Sequence, residues 1–365
     1  MLNFLLVYLI YSYFLFILVI FFAWLLRKKK HFPNCFENKP VVSIVCVGRN
    51  EADHLEQLLQ SVKHLTYNGT WEFIYIDDHS TDNTPNFFSK ENPKIKYIRP
   101  GRNCIGKKNC LNYGVSLSNG EWIACVDADC ILDPLWLDHM VSYAILNKKK
   151  WLGGIVVHHD YLNNHFLNNW QKVETLYLNI IGGVFSSFGF PFMANGANMI
   201  FKKEFFEPFH GKQCVNPSGD DILIALNFIN KCGRKSIGFT FDTASRIRTS
   251  SPCEWKSFIQ QKIRWASKLK HYNRIEIKIF TLYFALIQLS WILLVAINSQ
   301  LWLNLTVQKA VFEVLLFSIV AKYYNVKQNL LYSLVMNVMY PYYSLIIGIL
   351  AQKVKFVWKE RTYYQ

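Results

Sequence analysis

Hydrophobic residues in the middle of the chain follow two patterns that alternate along the sequence. Short, continuous apolar runs are typical of buried strands, whereas apolar residues spaced three and four apart are typical of amphipathic helices. The strand-like runs cover residues 41–47, 71–76, 94–98 and 122–126, and the helical spacing covers residues 52–63 and 107–117. Residues 151–157 predict a further strand and residues 169–179 a further helix, and residues 182–197 are rich in Gly, Phe and Ser. This alternation predicts an α/β domain with a doubly wound, mostly parallel sheet.

The first 30 residues have a different pattern, which is that of a membrane anchor. Residues 4–26 contain no charged residue and are long enough to cross a bilayer as a helix, and four basic residues, Arg27 to Lys30, follow directly. A signal peptide carries its charges before the apolar run, so we predict an anchor that is retained. The bias of basic residues toward the cytoplasmic side of membranes then places the following chain in the cytoplasm.

Further apolar segments lie near the C-terminus. Residues 279–297 and 328–352 are uncharged and predict membrane helices, whereas residues 301–321 are a weaker candidate because they include Lys309 and Glu313. Three crossings would place the basic tail outside, but its charges favour the inside, so we expect one of the last two segments to lie in the interface or to re-enter the membrane. The predicted organisation is an anchor at residues 1–30, a cytoplasmic domain at 40–270, a membrane region at 277–352 and a basic tail at 353–365.

The composition agrees with this organisation. Hydrophobic residues make up 52% of the chain, which is high for a soluble protein, and the formal net charge is +15. The basic residues are scattered or lie beside apolar segments, and no nucleic-acid-binding module occurs in the sequence, so we expect anionic lipid headgroups rather than nucleic acid as partners. The nine cysteines lack the spacing of metal ligands, which argues against a zinc site or a disulfide framework.

Acidic residues follow three of the predicted strands. Glu51 follows the first strand, Asp78 the second, and Asp127 and Asp129 the fourth. Carboxyl ends of parallel strands share one edge of the sheet, so these side chains should line one crevice. The two carboxylates of Asp127-Ala128-Asp129 repel each other, and a divalent cation that also binds phosphates would remove this conflict. The alternative is a strand end whose aspartates only form a turn or a helix cap.

Two more stretches carry candidate chemistry. Asp220 and Asp221 precede an apolar helical run at residues 222–229, where they either cap the helix or provide a general base, since adjacent carboxylates raise the pKa of one of them. In a predicted amphipathic helix at residues 254–270, the side chains of three residues share one face, and the alternative is a helix that lies in the membrane interface. These residues are Gln261, Arg264 and Trp265.

Polar residues elsewhere have simpler interpretations. His158 and His159 are adjacent on a predicted strand and face opposite ways, so we expect them to be structural. The stretch from Asn195 to Asn198, Asn-Gly-Ala-Asn, either approaches an acceptor through a flexible backbone or forms a turn.

Five groups of residues, taken in order, resemble the motifs of family 2 glycosyltransferases. The resemblance covers roughly residues 40–270, with Cys110 where alanine is usual and Asp220 where glutamate is usual. The matching stretches are Arg49-Asn-Glu51 with Ile76-Asp-Asp-His-Ser-Thr-Asp-Asn-Thr84, Gly106-Lys-Lys-Asn-Cys-Leu-Asn112, Asp127-Ala-Asp129, Gly219-Asp-Asp221 and Gln261-Lys-Ile-Arg-Trp265.

The resemblance implies a GT-A fold, a single Rossmann-like α/β domain with a mixed, mostly parallel sheet, between N- and C-terminal transmembrane helices. It implies that Asp127 and Asp129 hold Mg²⁺ or Mn²⁺ and that Asp221, with Asp220, forms the catalytic base. It also implies a set of residues that bind the nucleotide-diphosphate sugar. That set is Glu51, Asp78, Lys107, Asp127, Gln261, Arg264 and Trp265.

The implied function is an inverting transfer of a sugar from a nucleotide-diphosphate sugar to a lipid or lipid-linked acceptor. The protein would be a multi-pass protein of the cell (inner) membrane, with its catalytic domain in the cytoplasm. One alternative is a processive polysaccharide synthase, because the Q-x-x-R-W motif also marks those enzymes, although their channels need more membrane crossings. A second alternative is a non-catalytic membrane scaffold that binds nucleotide sugars.

Overall fold

The computed structural model describes residues 2–27, 38–88, 92–159, 165–215, 218–268, 272, 274–353, 356–359 and 361–363. The chain divides into two compact units. The helical unit comprises Met1–Leu26, Asp160–Tyr177 and Ser251–Gln365, and the sheet unit comprises Arg27–His159 and Leu178–Ser250.

The helices and strands of the described residues are numbered separately in chain order. The α-helices are α1 (Leu2–Arg27), α2 (Ala52–Lys63), α3 (Lys107–Leu117), α4 (Trp136–Leu146), α5 (His165–Ser187), α6 (Lys212–Val215), α7 (Asp220–Cys232), α8 (Trp255–Ser267), α9 (Ile275–Ile297), α10 (Ser299–Tyr323) and α11 (Leu330–Lys353). The strands are β1 (Val42–Gly48), β2 (Trp71–Asp77), β3 (Ile95–Ile98), β4 (Trp122–Asp127), β5 (Cys130–Leu132), β6 (Trp151–Gly154), β7 (Val156–His158), β8 (Met199–Lys202), β9 (Ile237–Thr240), β10 (Ile247–Thr249), β11 (Phe356–Trp358) and β12 (Arg361–Tyr363).

The sheet unit is built on a seven-stranded sheet in the order β3-β2-β1-β4-β8-β6-β9. Neighbouring strands pair in parallel except at β8, which is antiparallel to both β4 and β6. The sheet is therefore mixed and mostly parallel, which confirms the predicted fold class. Helices cover both faces of this sheet, as two neighbouring residues of β1 show, since their side chains point to opposite faces and pack in different hydrophobic cores. Ile44 packs in the core that includes α2 and α4, and Val45 packs in the core that includes α3 and α7.

The register of the central strands determines where their carboxyl ends lie. The Cα partner of Gly48 is Asp77 across the β1–β2 pair, and the partner of Val47 is Asp127 across the β1–β4 pair. The ends of β1, β2 and β4 therefore meet at the same edge of the sheet, as parallel pairing requires.

The prediction of one continuous strand over residues 151–157 is wrong. The chain leaves the main sheet at Ile155, so that β6 pairs with β8 and β9 while β7 pairs with β10 in a separate three-stranded sheet. The carbonyl oxygen of Ile155 accepts a hydrogen bond from Asn198 Nδ2 at 2.8 Å. A side chain distant in sequence thus satisfies the backbone at the break, which an apolar run alone does not reveal.

Four helices of the helical unit, α1, α9, α10 and α11, are long and apolar enough to cross a membrane. In α10, Lys309 Nζ lies 3.3 Å from Glu313 Oε1 and 2.7 Å from Asn337 Oδ1, and the Tyr13 hydroxyl also donates to Glu313. Charged residues persist in membrane helices when they pair inside the bundle. The two charges that weaken the sequence signal at residues 301–321 therefore do not interrupt this helix.

Candidate active site at the carboxyl edge of the sheet

The loops after β1 and β2 are joined to each other at this edge. Asn50 and His79, one in each loop, have positive φ angles of 52° and 58°. Asn50 Oδ1 accepts a hydrogen bond from the backbone N–H of Thr81 at 2.8 Å, and the Asn50 N–H donates to Ser80 Oγ at 2.9 Å. Non-glycine residues adopt such backbone only where their surroundings impose it, commonly at functional sites. The two loops therefore form one supported rim.

The two aspartates at the end of β2 have different partners. Asp77 is fully buried and accepts hydrogen bonds from the Tyr97 hydroxyl at 2.7 Å and from the Ser80 N–H at 2.9 Å. Asp78 accepts a hydrogen bond from the N–H of Gly106 at 3.0 Å. Asp77 thus stabilises the strand end, whereas Asp78 links the β2 loop to the beginning of α3.

Lys107, the first residue of α3, lies between two carboxylates. Its Nζ is 2.7 Å from Asp127 Oδ1 at the end of β4 and 3.6 Å from Asp220 Oδ2 at the beginning of α7. Asp220 is almost fully buried, whereas Asp127 is about one-third exposed at its side chain. Three elements that are far apart in the sequence thereby contribute charged groups to one cluster.

Asp129 lies in the turn between β4 and β5. Burial, together with the nearby carboxylates of Asp127 and Glu51, raises its pKa to about 6. Its Oδ2 accepts a hydrogen bond from Ser250 Oγ at 2.8 Å, and this bond lowers the pKa of Asp129. Glu51 itself lies 3.1 Å from His54 Nδ1 through its Oε2 atom. The negative charges of the three carboxylates therefore influence one another at the edge of the sheet.

The chemistry of this set fits a divalent cation. Repulsion and burial both penalise the ionised form of Asp129, and a cation would offset both. In the described part of the chain, no group of three or more His, Cys, Asp or Glu side chains is arranged to hold a metal ion. Two carboxylates are sufficient for Mg²⁺ when phosphates and waters complete its coordination shell. Asp127 and Asp129 match that mode of binding.

The Gly219-Asp-Asp221 stretch forms the beginning of α7. Gly219 has a φ angle of +89°, which favours glycine, and both aspartates that follow it are buried. Asp221 Oδ1 accepts a hydrogen bond from the N–H of Ile222 at 2.7 Å, so it stabilises the first turn of α7. A Cβ atom at Gly196 would lie only 3.1 Å from Asp220 Oδ2. The absence of a side chain at Gly196 therefore allows its loop to approach Asp220 closely.

Gln261, Arg264 and Trp265 belong to α8 of the helical unit. The opposite side of α8 is held by packing and charge: Ile263 packs with Ile347 of α11, and Lys262 Nζ lies 2.7 Å from Glu174 Oε2 of α5. With 3.6 residues per turn, Gln261 and Arg264 point away from the anchored positions of this helix. Because α8 is one continuous helix, Gln261, Arg264 and Trp265 occupy positions i, i+3 and i+4 within it.

The sheet unit contains the other predicted site residues. The contacts described above connect Glu51, Asp78, Lys107, Asp127, Asp129 and Asp220, with Asp221 adjacent in sequence. Ser250, which follows β10, also contacts this site, and no pattern in the sequence predicts it. Because β10 has only three residues, it gives no periodic signal, and the approach of Ser250 to Asp129 depends on the pairing of β10 with β5.

Comparison with known families decides the nature of this domain. Residues 43–208 match the model of glycosyl transferase family 2. This part of the chain is similar to the family 2 glycosyltransferases. The match includes Glu51, Asp78, Lys107, Asp127 and Asp129, and it ends before Asp220.

Two curated relatives illustrate the range of the family. The chain is 37% identical over 138 residues to a β-monoglucosyldiacylglycerol synthase of Nostoc sp., which covers 36% of this chain and 29% of the relative. It is 32% identical over 146 residues to a poly-β-1,6-N-acetyl-D-glucosamine synthase of Staphylococcus epidermidis, which covers 39% of this chain and 34% of that relative. In both cases the match spans about a third of the relative's length.

A solved structure supports the fold of the glycosyltransferase domain. A mannosyltransferase from Pyrobaculum calidifontis, in complex with GDP-Man and Mn²⁺, superposes with a TM-score of 0.57 at 15% sequence identity, covering 92% of this chain and 99% of that chain. At this identity the likeness concerns the fold, and it confirms the predicted GT-A architecture.

Proposed function

We propose that this protein is an inverting glycosyltransferase that moves a sugar from a nucleotide-diphosphate sugar to a lipid or lipid-linked acceptor at the cytoplasmic face of the membrane. The observation that carries the proposal is the cluster at the carboxyl edge of the sheet. There, Lys107 lies beside Asp127 and Asp220, and Asp129 is a buried carboxylate with a raised pKa. Such an edge is where open α/β sheets bind their ligands.

The donor would be held by groups from both loops of the rim. Asp78 contacts the nucleotide base in this proposal, and Glu51 lies near the nucleotide. Asp127 and Asp129 would hold Mg²⁺ or Mn²⁺, which stabilises the negative charge on the leaving diphosphate when it is bound. Lys107 supplies a further positive charge for the phosphates.

The resemblance of α8 to the Q-x-x-R-W motif supports a second group of contacts. Arg264 would stabilise the charge that develops on the leaving diphosphate, and Gln261 and Trp265 would lie near the diphosphate and the acceptor. Arginine suits this role because its planar guanidinium forms paired hydrogen bonds with phosphate oxygens.

The transfer itself is a single displacement. The acceptor hydroxyl attacks the anomeric carbon on the face opposite the diphosphate, the bond from that carbon to the phosphate oxygen breaks, and the configuration inverts. Asp221 accepts the proton of the hydroxyl as the general base, and the adjacent Asp220 keeps the surroundings negative. General-base catalysis contributes about 10²–10⁴-fold to the rate of such reactions.

The acceptor and the orientation rest on the membrane segments. Four helices within the described residues are long and apolar enough to cross a membrane, and Arg27 to Lys30 favour a cytoplasmic position for the chain that follows the anchor. A lipid acceptor agrees with the name of the Nostoc relative, a β-monoglucosyldiacylglycerol synthase. The Staphylococcus relative, a polysaccharide synthase, supports a second candidate in which the protein extends a polymer.

The proposed function is tested with membranes that contain the full-length protein and a panel of radiolabelled nucleotide-diphosphate sugars. We expect one sugar to appear in the lipid extract as a product of defined size, whereas a ladder of long products would identify a polysaccharide synthase. Binding of nucleotide sugars without any transfer would favour the scaffold.

The base assignment is tested with Asp221→Asn. We expect turnover to fall by about 10²–10⁴-fold while the affinity for the nucleoside diphosphate is retained. Asp53→Asn, an exposed aspartate in the first turn of α2, is the matched control and should keep full turnover. Unchanged turnover in Asp221→Asn would refute the role of Asp221.

A further inference from the structure

The position of Lys107 has a consequence for metal binding. Its ammonium lies 2.7 Å from Asp127 Oδ1, which is a shorter distance than the 3.6 Å to Asp220 Oδ2. Asp127 is also one of the two carboxylates proposed to hold the cation. A cation that binds Asp127 must therefore compete with an ammonium ion that already neutralises it.

The surroundings of Lys107 would also accommodate a phosphate group as a partner for its ammonium. Lys107 begins α3, an eleven-residue helix whose N-terminus favours phosphate. Gly196 lies beside it without a side chain, since a Cβ atom there would be 3.6 Å from Lys107 Nζ. The side chain of Lys107 is 18% exposed, so it has access to a ligand at the edge of the sheet.

We propose that Lys107 couples the binding of the divalent cation to the binding of the nucleoside diphosphate. In the absence of nucleotide, Lys107 competes with the cation for Asp127. A bound diphosphate gives the ammonium new partners, and Asp127 becomes available to the cation. This inference rests on the proposed function, because it takes Asp127 and Asp129 as the cation site.

The coupling is reciprocal by thermodynamic necessity. If the diphosphate raises the affinity for the cation, the cation raises the affinity for the diphosphate by the same factor, which is about 5–150-fold for typical coupled sites. A neutral residue at position 107 removes both the ammonium that competes with the cation for Asp127 and the positive charge that binds the diphosphate. It should therefore strengthen binding of the cation alone and weaken the coupling, which are changes of opposite sign.

The experiment measures Mn²⁺ binding to the full-length protein in detergent by electron paramagnetic resonance, with Mn²⁺ alone, with UDP and with GDP. For the wild type we expect UDP or GDP to raise the affinity for Mn²⁺ by about 5–150-fold. For Lys107→Met we expect Mn²⁺ alone to bind several-fold more tightly and the enhancement by nucleotide to be several-fold smaller than in the wild type, with the remainder due to phosphate oxygens that bind the cation directly. Lys107→Gln should behave in the same way, and Lys107→Arg should retain the wild-type coupling because it keeps the charge.

Lys96→Met is the matched control. Lys96 Nζ lies 2.7 Å from Glu72 Oε2, so this variant also removes a lysine from a carboxylate. Glu72 is near the beginning of β2, at the edge of the sheet opposite the site. We expect wild-type Mn²⁺ binding and wild-type coupling in this variant.

Two results would overturn the inference in distinguishable ways. If both neutral variants bind Mn²⁺ no more tightly than the wild type, or keep the full enhancement, Lys107 is a structural ion pair and only this inference fails. If the wild type binds no Mn²⁺ with either nucleotide, the cation site of the proposed function fails as well.

Discussion

Replacement of Asn198 tests how the structure closes the break between β6 and β7. The side chain is fully buried and forms three hydrogen bonds: Nδ2 donates to the carbonyls of Ile155 at 2.8 Å and Ser245 at 2.9 Å, and Oδ1 accepts from Trp136 Nε1 at 3.0 Å. One residue thus connects four segments of the sheet unit. Asn198→Ala should therefore lower the free energy of unfolding more than the replacement of a turn residue that makes a single hydrogen bond.

The magnitude follows from these contacts. Each hydrogen bond contributes about 1 kcal/mol net, and a buried donor left without a partner, here Trp136 Nε1, costs about 1–3 kcal/mol. The expected loss in Asn198→Ala is therefore about 3–5 kcal/mol. Asn198→Leu fills the space but loses the same bonds, so it should lose nearly as much. Asn198→Asp keeps an acceptor for Trp136 but places an oxygen against two carbonyl oxygens, so it should not restore stability.

The assay is denaturant unfolding of the full-length protein in detergent, followed by tryptophan fluorescence. Asn195→Ala is the control, because Asn195 Oδ1 accepts one bond from the N–H of Ala197 within the same turn and should cost about 1 kcal/mol. A loss in Asn198→Ala no larger than the control's would refute the reasoning. Normal stability with impaired sugar transfer would instead favour the hypothesis that this loop approaches the acceptor.

Three further predictions concern other contacts. Lys262→Met leaves Glu174 buried without its ion-pair partner, so the free energy of unfolding in detergent should fall by about 3–5 kcal/mol. The double variant Lys262→Met with Glu174→Gln should recover most of this loss, and an equal loss in the single and double variants would contradict the prediction. The hydrogen bond that His139 Nδ1 donates to the Asp242 carboxylate raises the pKa of His139 above 6.5, so the pair stabilises the fold fully below pH 6.5 and this contribution is lost as the pH rises through the folded-state pKa. The melting temperature of His139→Gln should therefore approach that of the wild type at alkaline pH, and a difference that persists there would exclude this cause. Removal of divalent cations with EDTA should abolish sugar transfer and Mg²⁺ or Mn²⁺ should restore it, while full transfer in excess EDTA would exclude the metal.

Much of the secondary structure follows from local pattern alone. The helices predicted at residues 52–63 and 107–117 are α2 and α3 with the same bounds. Apolar spacing is a property of neighbouring residues, and it forces one face of each helix into the core whatever the remainder of the chain does. The convergence of the strand ends also follows from sequence, because parallel strands place their carboxyl ends at one edge.

Packing between distant segments changes other predictions. The helix predicted at residues 169–179 is longer: α5 extends to Ser187 and includes Gly182 and Gly183, which belong to the stretch rich in Gly, Phe and Ser. A Cβ atom at Gly183 would lie 2.6 Å from the ring of Phe239. Gly183 therefore allows α5 to pack closely against β9, which composition does not reveal.

The sequence by itself determined the class of the fold, the apolar segments and the residue types that can carry the chemistry. Only the tertiary structure decided that Lys107 lies between Asp127 and Asp220, that Ser250 donates to Asp129, and that the chain changes sheets at Ile155. The physical reason is that periodicity reports burial along one segment, whereas these contacts depend on the register and packing of segments far apart in the chain.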